Sequence, residues 1–575
     1  MNASIRIDHD VPMQTRDGVT LRADVFRPDD GGRYPALLAR TPYGKHAFFH
    51  EDFVSAIYAA RSGYAVVIQD TRGRFASDGE YDVLLPEGED SFDTVEWVAS
   101  QRWCDGMVGM YGISYGGRIQ WEAAFEQPPS LRAIAPSFAG SPVSDLVRAG
   151  VVEYEMLLGW LAMMAVSMVA RVEQDGGDAS SLRRWLGRMI SEPEGTLSHL
   201  PVRDMLKDLG SVGQLLGQVP AVAPPNTRPE DLLWDFGRVA TPCLHTGGWF
   251  DLWIGTTVES FRGMRDRGGN PAARAGQHLI CGPWVHNRIL PPYAGGLNFG
   301  TSAGSAPTGG TPATAAHFAF FDRYLRGSDV QLPTVRYFVM GADEWRDADG
   351  WPLAGTEFTR FFLSSRGNAR TAAGDGLLTR DAPGSQPPDR YTYDPLNPVP
   401  TTGGRLLYTG RRAPGPLDQG RVEARDDVLC YTTPELTEDL EVSGPVKLHL
   451  FASTSAVDTD FMAKLVDVYP DGAAYNIAEG VIRARYREGL LSPKPIVPGE
   501  VTQYVIDLAS TSNLFRRGHR IRLDVTSSNF PEVDRNMNTG NPFGEDAEGI
   551  VALQAVYHDD RYASYLELPV IPAAT

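Results

Sequence analysis

A serine between two glycines carries the clearest chemical signal in the sequence. Ser114 is the centre of Gly112-Ile113-Ser114-Tyr115-Gly116, a G-x-S-x-G pattern that places a serine on a tight strand-to-helix turn. The glycines let the two backbones approach closely. The apolar run 108–112 before the serine and the helix-like run 117–127 after it supply the strand and helix that such a turn joins. Ser114 is therefore predicted to be a nucleophile raised above a sheet.

A serine nucleophile needs a carboxylate and a base, which follow it along the chain in that order when the turn is of this type. Asp251 is the first acid in a predicted loop after the strand-like run 243–246. Glu259 is its nearest rival, but it lies in the following helix, a poorer place from which to aim a carboxylate. We predict Asp251 as the orienting acid; the other interpretation is an ordinary loop aspartate or helix cap.

The base must be chosen among eleven histidines. Five of them precede the acid, and three lie in the β-rich last third. His278 belongs to a strand-like run, and His317 starts a late helix. His286 follows the run 278–281 by a short predicted loop, 282–285, which suits a base. It is predicted as the general base, against the alternative of a surface-loop histidine.

The tetrahedral intermediate of acyl transfer requires hydrogen-bond donors where negative charge develops on its oxygen. The backbone N–H of Tyr115, next after the nucleophile, is predicted to be one donor. The second should come from the loop after the strand-like run 35–41. Tyr43 lies in that loop, and its phenol could donate in place of a backbone amide. Spacing alone does not decide between the phenol and the amide.

Composition and charge exclude several other functions. A formal net charge of −19 argues against nucleic acid or an anionic membrane as partner. The acidic segments 347–350 and 458–460 lack the ligand spacing of a calcium loop, and no cluster resembles a zinc site. The glycine-rich stretch 295–310 is not followed by the Lys-Ser/Thr of a phosphate loop. No metal or cofactor is therefore predicted.

Four cysteines stand far apart without a C-x-x-C pair, which indicates free buried thiols: Cys104, Cys243, Cys281 and Cys430. The first residues lack the apolar core of a signal peptide, so a cytoplasmic location is expected. The apolar run 156–170 is shorter than the roughly 20 residues that a bilayer span requires. It is predicted to be a buried helix.

The 575 residues predict two to four domains. Alternating strand-like and helical runs in 1–140 and again in 241–350 predict a largely parallel sheet covered on both faces, an α/β core. Between them, 141–240 reads as an inserted helical cap. Strand-length, β-branched runs dominate 351–575 and predict an antiparallel sandwich or jelly roll, with 369–400 as a long loop.

In this order, the motifs resemble the family of bacterial cocaine esterases, X-Pro dipeptidyl-peptidases and related acyl-ester hydrolases over nearly the whole chain. The residues that carry the resemblance are Arg40-Thr41-Pro42-Tyr43, Gln69-Asp70-Thr71-Arg72-Gly73, Trp103-Cys104-Asp105-Gly106, Gly248-Trp249-Phe250-Asp251, Gly282-Pro283-Trp284-Val285-His286, Phe321-Asp322-Arg323-Tyr324-Leu325-Arg326-Gly327, Val457-Asp458-Thr459-Asp460-Phe461 and Ser527-Ser528-Asn529-Phe530-Pro531.

The resemblance implies an α/β-hydrolase core, an inserted helical cap and a C-terminal jelly roll. It implies a serine carboxylesterase with the triad Ser114, Asp251 and His286 and with Tyr43 as the second oxyanion donor. It also implies a small-molecule ester substrate and an acyl-enzyme intermediate, and it is compatible with a homodimer.

The resemblance further places a closed acyl pocket around Trp160, Trp253, Leu407 and Tyr408, which predicts a preference for compact or aromatic acyl groups. The chain also departs from the cocaine esterases. The segment between Arg148 and Trp160 holds only Tyr154 where they have a second cap tryptophan. Trp253 and Tyr408 stand where they have phenylalanines. These changes predict a reshaped pocket.

Two other functions stay open. An exopeptidase or α-amino-acid ester hydrolase on the same scaffold would need carboxylates that bind a substrate ammonium. Glu153 and Glu155 in the cap are candidates, although the residue two after the nucleophile is Gly116 rather than an acid. A non-catalytic binding protein is the other alternative, and the intact set of catalytic residue types argues against it.

Overall fold

The computed structural model describes residues 4–46, 53–81, 87–141, 147–207, 234–286, 288–304, 310–407 and 411–572. Tyr408, predicted as a pocket wall, lies outside these residues. All four cysteines are buried and free, as predicted.

A ten-stranded mixed sheet organises the first part of the chain. This part of the chain contains the strands β1 (Ile5–Gln14), β2 (Thr20–Pro28), β3 (Tyr34–Thr41), β4 (Ala65–Asp70), β5 (Cys104–Ile113), β6 (Leu131–Ser137), β7 (Val147–Arg148), β8 (Val151–Val152), β9 (Cys243–Phe250), β10 (Gln277–Val285), β11 (Tyr293–Ala294), β12 (Leu297–Asn298), β13 (Val335–Val339) and β14 (Glu344–Ala348). Strands β7 and β8, and strands β11 and β12, form separate two-stranded hairpins; the other ten form the sheet. The sheet order is β1-β2-β4-β3-β5-β6-β9-β10-β13-β14. The seven strands from β4 to β13 are parallel, and the edge strands are antiparallel.

Helices cover both faces of this sheet. The described α-helices are α1 (Ala56–Arg61), α2 (Gly88–Ala99), α3 (Tyr115–Glu126), α4 (Tyr154–Gln174), α5 (Ser180–Ser191), α6 (Pro193–Leu197), α7 (Val202–Lys207), α8 (Ile254–Arg267), α9 (Pro271–Ala275) and α10 (Pro312–Arg326). Side chains of α2, α3 and α8 form one apolar cluster with the sheet, and side chains of α1 and α10 form another. Because both faces are covered, central strands such as β4 are buried along their whole length. The predicted parallel, doubly covered sheet is confirmed.

The helical insertion contains α4 to α7 and begins with the β7–β8 hairpin, which the sequence interpretation missed. Two-residue strands are too short to show a periodic pattern. Helix α4 is 21 residues long and apolar enough to cross a membrane by length and composition. Its inner face packs against Trp185 and Met189 of α5. Met163 and Val166 are exposed, so the prediction that this helix is buried holds for one face only.

The last part of the chain forms a separate, mostly antiparallel sheet domain. Its strands are β15 (Glu357–Ser364), β16 (Leu377–Thr379), β17 (Asp389–Tyr393), β18 (Leu429–Thr432), β19 (Leu440–Thr454), β20 (Asp460–Val468), β21 (Ala474–Arg483), β22 (Thr502–Phe515), β23 (Arg520–Thr526), β24 (Ala552–Tyr557) and β25 (Tyr565–Ile571). The prediction of a long loop over 369–400 is wrong, because β16 and β17 lie within it. The stretch is rich in proline, glycine, serine and aspartate, which disfavour strands, but partner strands supply the hydrogen-bonded pairing for β16 and β17.

Candidate active site

Ser114 occupies the turn between β5 and α3. Its backbone has φ 58° and ψ −121°, a conformation that costs energy in a residue with a Cβ. The turn is held by a hydrogen bond from the Ser114 amide to the carbonyl of Ser137, 2.9 Å. A Cβ at Gly112 would lie 3.0 Å from the carbonyl oxygen of Gly116, so the first glycine of the motif is needed for this close approach.

The strands that carry the acid and the base are longer than predicted. Segments 247–250 and 282–285, expected as loops, continue β9 and β10, so Asp251 and His286 come directly after the strand ends. The glycines in these segments misled the interpretation. Gly248 pairs with Gly282 across the two strands. A Cβ on either glycine would lie within 2.4 Å of Trp284 atoms, so these glycines allow close packing instead of ending a strand.

A hydrogen-bonded chain joins the three residues predicted to form the triad. The Nε2 atom of His286 is 3.1 Å from the Ser114 Oγ, and its Nδ1 is 2.6 Å from an Asp251 oxygen. The second Asp251 oxygen accepts the backbone N–H of Trp253, 3.1 Å. Asp251 and His286 are buried, and Ser114 keeps 8 % of its surface. The imidazole can take the serine proton on one nitrogen while the carboxylate orients the other.

The rival residues lie elsewhere. Glu259 is an exposed residue of α8. His278 is hydrogen-bonded to the Pro333 carbonyl and the Tyr324 hydroxyl. His317 is bonded to the Ala313 carbonyl and the Ser137 hydroxyl, and burial lowers its pKa to about 4. These contacts fix both histidines in the packing of the core.

The two predicted oxyanion donors lie at the ends of β3 and β5. Tyr115 is the first residue of α3, so its backbone N–H has no acceptor within its own helix. Its phenol donates to Glu87, 3.3 Å, and burial raises the Tyr115 pKa well above the ordinary value. Tyr43 follows β3, and its hydroxyl oxygen accepts the indole N–H of Trp160, 3.1 Å.

A buried ion pair that the sequence interpretation missed supports this region. Arg40, at the end of β3, lies 3.1 Å from a Glu87 carboxylate oxygen and donates to Gln69 and Ser91. Burial raises the pKa of Glu87, and the Arg40 charge opposes that rise. Arg40 stands three residues before Tyr43, and Glu87 accepts the Tyr115 phenol. The Arg40–Glu87 ion pair therefore connects the segment that carries Tyr43 to the side chain of Tyr115. Two sequence features pointed to Arg40: it is an arginine inside an otherwise apolar strand-like run, and it begins the motif Arg40-Thr41-Pro42-Tyr43.

Three of the four predicted pocket residues lie together. Trp253, Trp160 and Leu407 form one apolar cluster with Met156 and Leu252. The Trp253 ring packs edge-on against the imidazole of His286, with centroids 4.9 Å apart. The interpretation missed Met156, although it lies one helical turn before Trp160, and Leu252, the neighbour of the predicted acid.

The carboxylates proposed for an ammonium site have arginine partners. Glu153 lies 2.8 Å from the Arg148 guanidinium, and Glu155 lies 2.8 Å from that of Arg412. Burial raises the pKa of both carboxyl groups, and the arginines oppose that rise. A substrate ammonium would have to compete with a resident guanidinium at each position.

Two family models and a curated relative match most of the chain. The family model described as X-Pro dipeptidyl-peptidase (S15 family) matches residues 17–288. The model for the X-Pro dipeptidyl-peptidase C-terminal non-catalytic domain matches residues 328–567. Cocaine esterase from Rhodococcus sp. (strain MB1 Bresler) is 42 % identical, covering 99 % of each chain.

Two solved structures show the same fold at 24 % identity. An aminopeptidase from a marine sediment Thaumarchaeota archaeon has a TM-score of 0.79 and covers 100 % of this chain and 97 % of its own. An α-amino acid ester hydrolase has a TM-score of 0.76 and covers 99 % of this chain and 97 % of its own.

Proposed function

Since the chain belongs to the α/β-hydrolase family of cocaine esterase and X-Pro dipeptidyl-peptidase and is a serine ester hydrolase, we propose that it cleaves small carboxylic esters through an acyl-enzyme on Ser114. The observation that carries this proposal is the hydrogen-bonded order Ser114 Oγ, His286 Nε2, His286 Nδ1, Asp251. The hydroxyl and the carboxylate lie on opposite nitrogens of one imidazole, as general-base catalysis requires.

The reaction follows from these contacts. Ser114 Oγ attacks the ester carbonyl while His286 Nε2 takes its proton, and Asp251 stabilises the resulting imidazolium. The oxyanion accepts hydrogen bonds from the Tyr115 backbone N–H and the Tyr43 phenol. When the intermediate collapses, the C–O bond to the alcohol breaks and His286 protonates the leaving alkoxide. Water, deprotonated by His286, then releases the acid from Ser114. These steps need no cofactor or metal.

The acyl side of the substrate is proposed to lie against the cluster that contains Trp160, Trp253 and Leu407. Flat aromatic walls stack favourably on another ring, a contact worth about 0.5–1.5 kcal/mol beyond area burial. We expect acetyl, short branched and benzoyl esters to be preferred over acyl chains of about ten carbons or more, which need a longer groove. A series of nitrophenyl esters of increasing acyl length measures this. A preference for the long chains would contradict the closed pocket.

Fluorophosphonate labelling tests the nucleophile directly. The probe is expected to add one phosphonyl group, on the peptide that contains Ser114, and ester hydrolysis should disappear in step with labelling. Label on another serine, or full activity after complete labelling, would contradict the assignment.

Peptidase or amino-ester activity is the second candidate, because the family models carry an X-Pro dipeptidyl-peptidase description. Proline-containing dipeptide anilides assayed beside phenyl esters separate the two functions. We expect the esters to be cleaved faster, since Glu153 and Glu155 are paired with arginines. The jelly-roll topology, a cytoplasmic location, the absence of nucleic-acid and membrane partners, and a homodimer stay predictions from the sequence.

A further inference from the structure

Trp160 contacts both of the predicted oxyanion residues. Its indole N–H donates to the Tyr43 hydroxyl, 3.1 Å. Its ring stacks on the Tyr115 ring, with centroids 6.5 Å apart and 17° between the planes. Trp160 belongs to cap helix α4, whereas both tyrosines belong to the core domain. The cap therefore touches the two donor segments through one side chain.

The hydrogen bond has a defined direction. An indole N–H can only donate, so the Tyr43 oxygen accepts with a lone pair and its own proton is not used in this contact. With one lone pair held by Trp160, rotation of the phenol O–H is restricted. Accepting a hydrogen bond also polarises the O–H and strengthens it as a donor. Trp160 thus acts on the orientation and the strength of the Tyr43 donor.

A second contact ties the same loop to the same helix. Buried Arg74 donates from Nε to the carbonyl of Pro42, 2.8 Å, and from its terminal nitrogen to the Ser167 hydroxyl, 2.6 Å. Ser167 lies seven residues after Trp160, so both side chains project from one face of α4. The residue before Tyr43 is therefore held to the cap helix independently of the indole.

From these contacts we infer that Trp160 is a positioning residue for ester hydrolysis. It fixes the Tyr43 hydroxyl toward the developing oxyanion and so makes the cap helix part of the oxyanion hole. This inference rests on the proposed function and goes beyond the role of Trp160 as a pocket wall. A residue that only lined the acyl pocket would affect benzoyl esters more than acetyl esters. A residue that positions the oxyanion donor affects kcat for both alike.

Trp160→Phe is the informative variant, because phenylalanine keeps an aromatic ring but is smaller and has no N–H donor. Removing a direct oxyanion donor costs about 10²–10³ in kcat, which is the loss expected for Tyr43→Phe. Trp160 acts through Tyr43, so we expect Trp160→Phe to lower kcat by about tenfold for acetyl and benzoyl nitrophenyl esters, with KM nearly unchanged. In the Tyr43→Phe background, Trp160→Phe should have no further effect on kcat.

Trp185→Phe is the matched control. Trp185 lies on the neighbouring cap helix α5, is fully buried, and its indole nitrogen has no hydrogen-bond partner among the described residues. The Trp185→Phe substitution should lower the thermal stability at least as much as Trp160→Phe does, and it should leave kcat unchanged. An equal loss of kcat in both variants would reduce the role of Trp160 to holding the cap together.

Three other outcomes overturn the inference. These are an unchanged kcat in Trp160→Phe, a loss confined to benzoyl esters, and a loss that multiplies fully with that of Tyr43→Phe. If Tyr43→Phe itself keeps full kcat, Tyr43 is not an oxyanion donor and the positioning role fails with it. Loss of hydrolysis in Ser114→Ala would still support the serine mechanism in that case. Failure of the inference is thereby separated from failure of the proposed function.

Discussion

The two large domains each contain a buried cluster of one serine, one aspartate and one histidine, and comparing the clusters shows what a catalytic arrangement requires. The core cluster is Ser114, Asp251 and His286; the β-domain cluster is Ser365, Asp389 and His558. All six side chains are buried and hydrogen-bonded within their cluster. Residue types and burial therefore do not distinguish the two.

The connectivity at the imidazole distinguishes them. In the core cluster the carboxylate and the hydroxyl lie on opposite ring nitrogens. In the β-domain cluster both lie on Nε2 of His558, with the Asp389 oxygen at 2.8 Å and Ser365 Oγ at 3.2 Å. Ser365 donates directly to Asp389, 2.7 Å. The Ser365 hydroxyl proton is hydrogen-bonded to the carboxylate and does not point at the imidazole. His558 therefore cannot accept that proton as a general base.

The carboxylates also have different surroundings. Asp389 accepts hydrogen bonds from Ser365, His558, the Tyr431 hydroxyl and the Ala369 amide, and it joins four segments of the sheet domain. Asp251 accepts from His286 and one amide. Ser114 has a strained backbone with φ 58°, whereas Ser365 is not among the positive-φ residues. The core cluster holds its hydroxyl on a strained strand-to-helix turn, whereas the β-domain cluster uses its polar groups to hold strands together.

The largest expected difference is in activity after loss of each serine hydroxyl. Ser114→Ala should lower kcat for nitrophenyl acetate by about 10⁴-fold or more, because the nucleophile is removed. Ser365→Ala should keep kcat within about twofold and lower the free energy of unfolding by about 1 kcal/mol, the net value of a hydrogen bond. Steady-state kinetics and urea titration measure the two effects. Substantial turnover by Ser114→Ala, or inactivity of folded Ser365→Ala, would reverse the assignment.

Replacing each carboxylate is expected to give opposite results. Asp251→Asn should lower kcat by about 10⁴-fold through loss of imidazole orientation. Asp389→Asn should leave kcat nearly unchanged and lower the free energy of unfolding by about 3 kcal/mol, because several donors lose a buried charged acceptor. Circular dichroism confirms that each variant is folded before its kinetics are compared. An active Asp251→Asn would show that this carboxylate does not orient the base.

The sequence predicted the core cluster because each member has a local signature. Ser114 has its motif, and Asp251 and His286 follow strand-like runs in the expected order. The β-domain cluster could not be predicted in this way. Ser365 and His558 are 193 residues apart and follow strands of ordinary pattern. Only the pairing of a sheet that is built from distant segments brings them together.

The same limit applies to the surroundings of the core cluster. The parallel sheet and the separate β domain followed from periodicity and turn residues, although glycines hid the last residues of β9 and β10. The contact of Trp160 with Tyr43 spans 117 residues, and that of Arg74 with Ser167 spans 93. Both depend on how the inserted helices dock on the core. A local pattern carries no information about that docking.

The smallest expected effect is the acid dependence of stability in the β domain. Burial raises the pKa of Asp389, but the hydrogen bonds from three side chains and one amide outweigh it and hold the pKa below its ordinary value of 3.8. The unfolded chain therefore binds this proton at a higher pH than the folded protein does. The stability that Asp389 supplies is present above pH 4 and is lost as the pH falls through the folded pKa.

Asp389→Asn removes this titration and should flatten the acid side of the stability curve. From pH 7 to pH 5 the Asp389 carboxyl itself should add no pH dependence to the difference in free energy of unfolding between wild type and Asp389→Asn, because it is ionised in both the folded and the unfolded wild type. Below pH 4 this difference should narrow by about 1 kcal/mol per pH unit, the value of one proton taken up on unfolding. Urea titrations at several pH values measure the difference, with Ser365→Ala as the control that keeps the carboxylate. A constant difference down to pH 2.5 would mean that the Asp389 carboxyl has the same pKa in the folded and the unfolded protein, and the contrast between the two clusters would then rest on geometry alone.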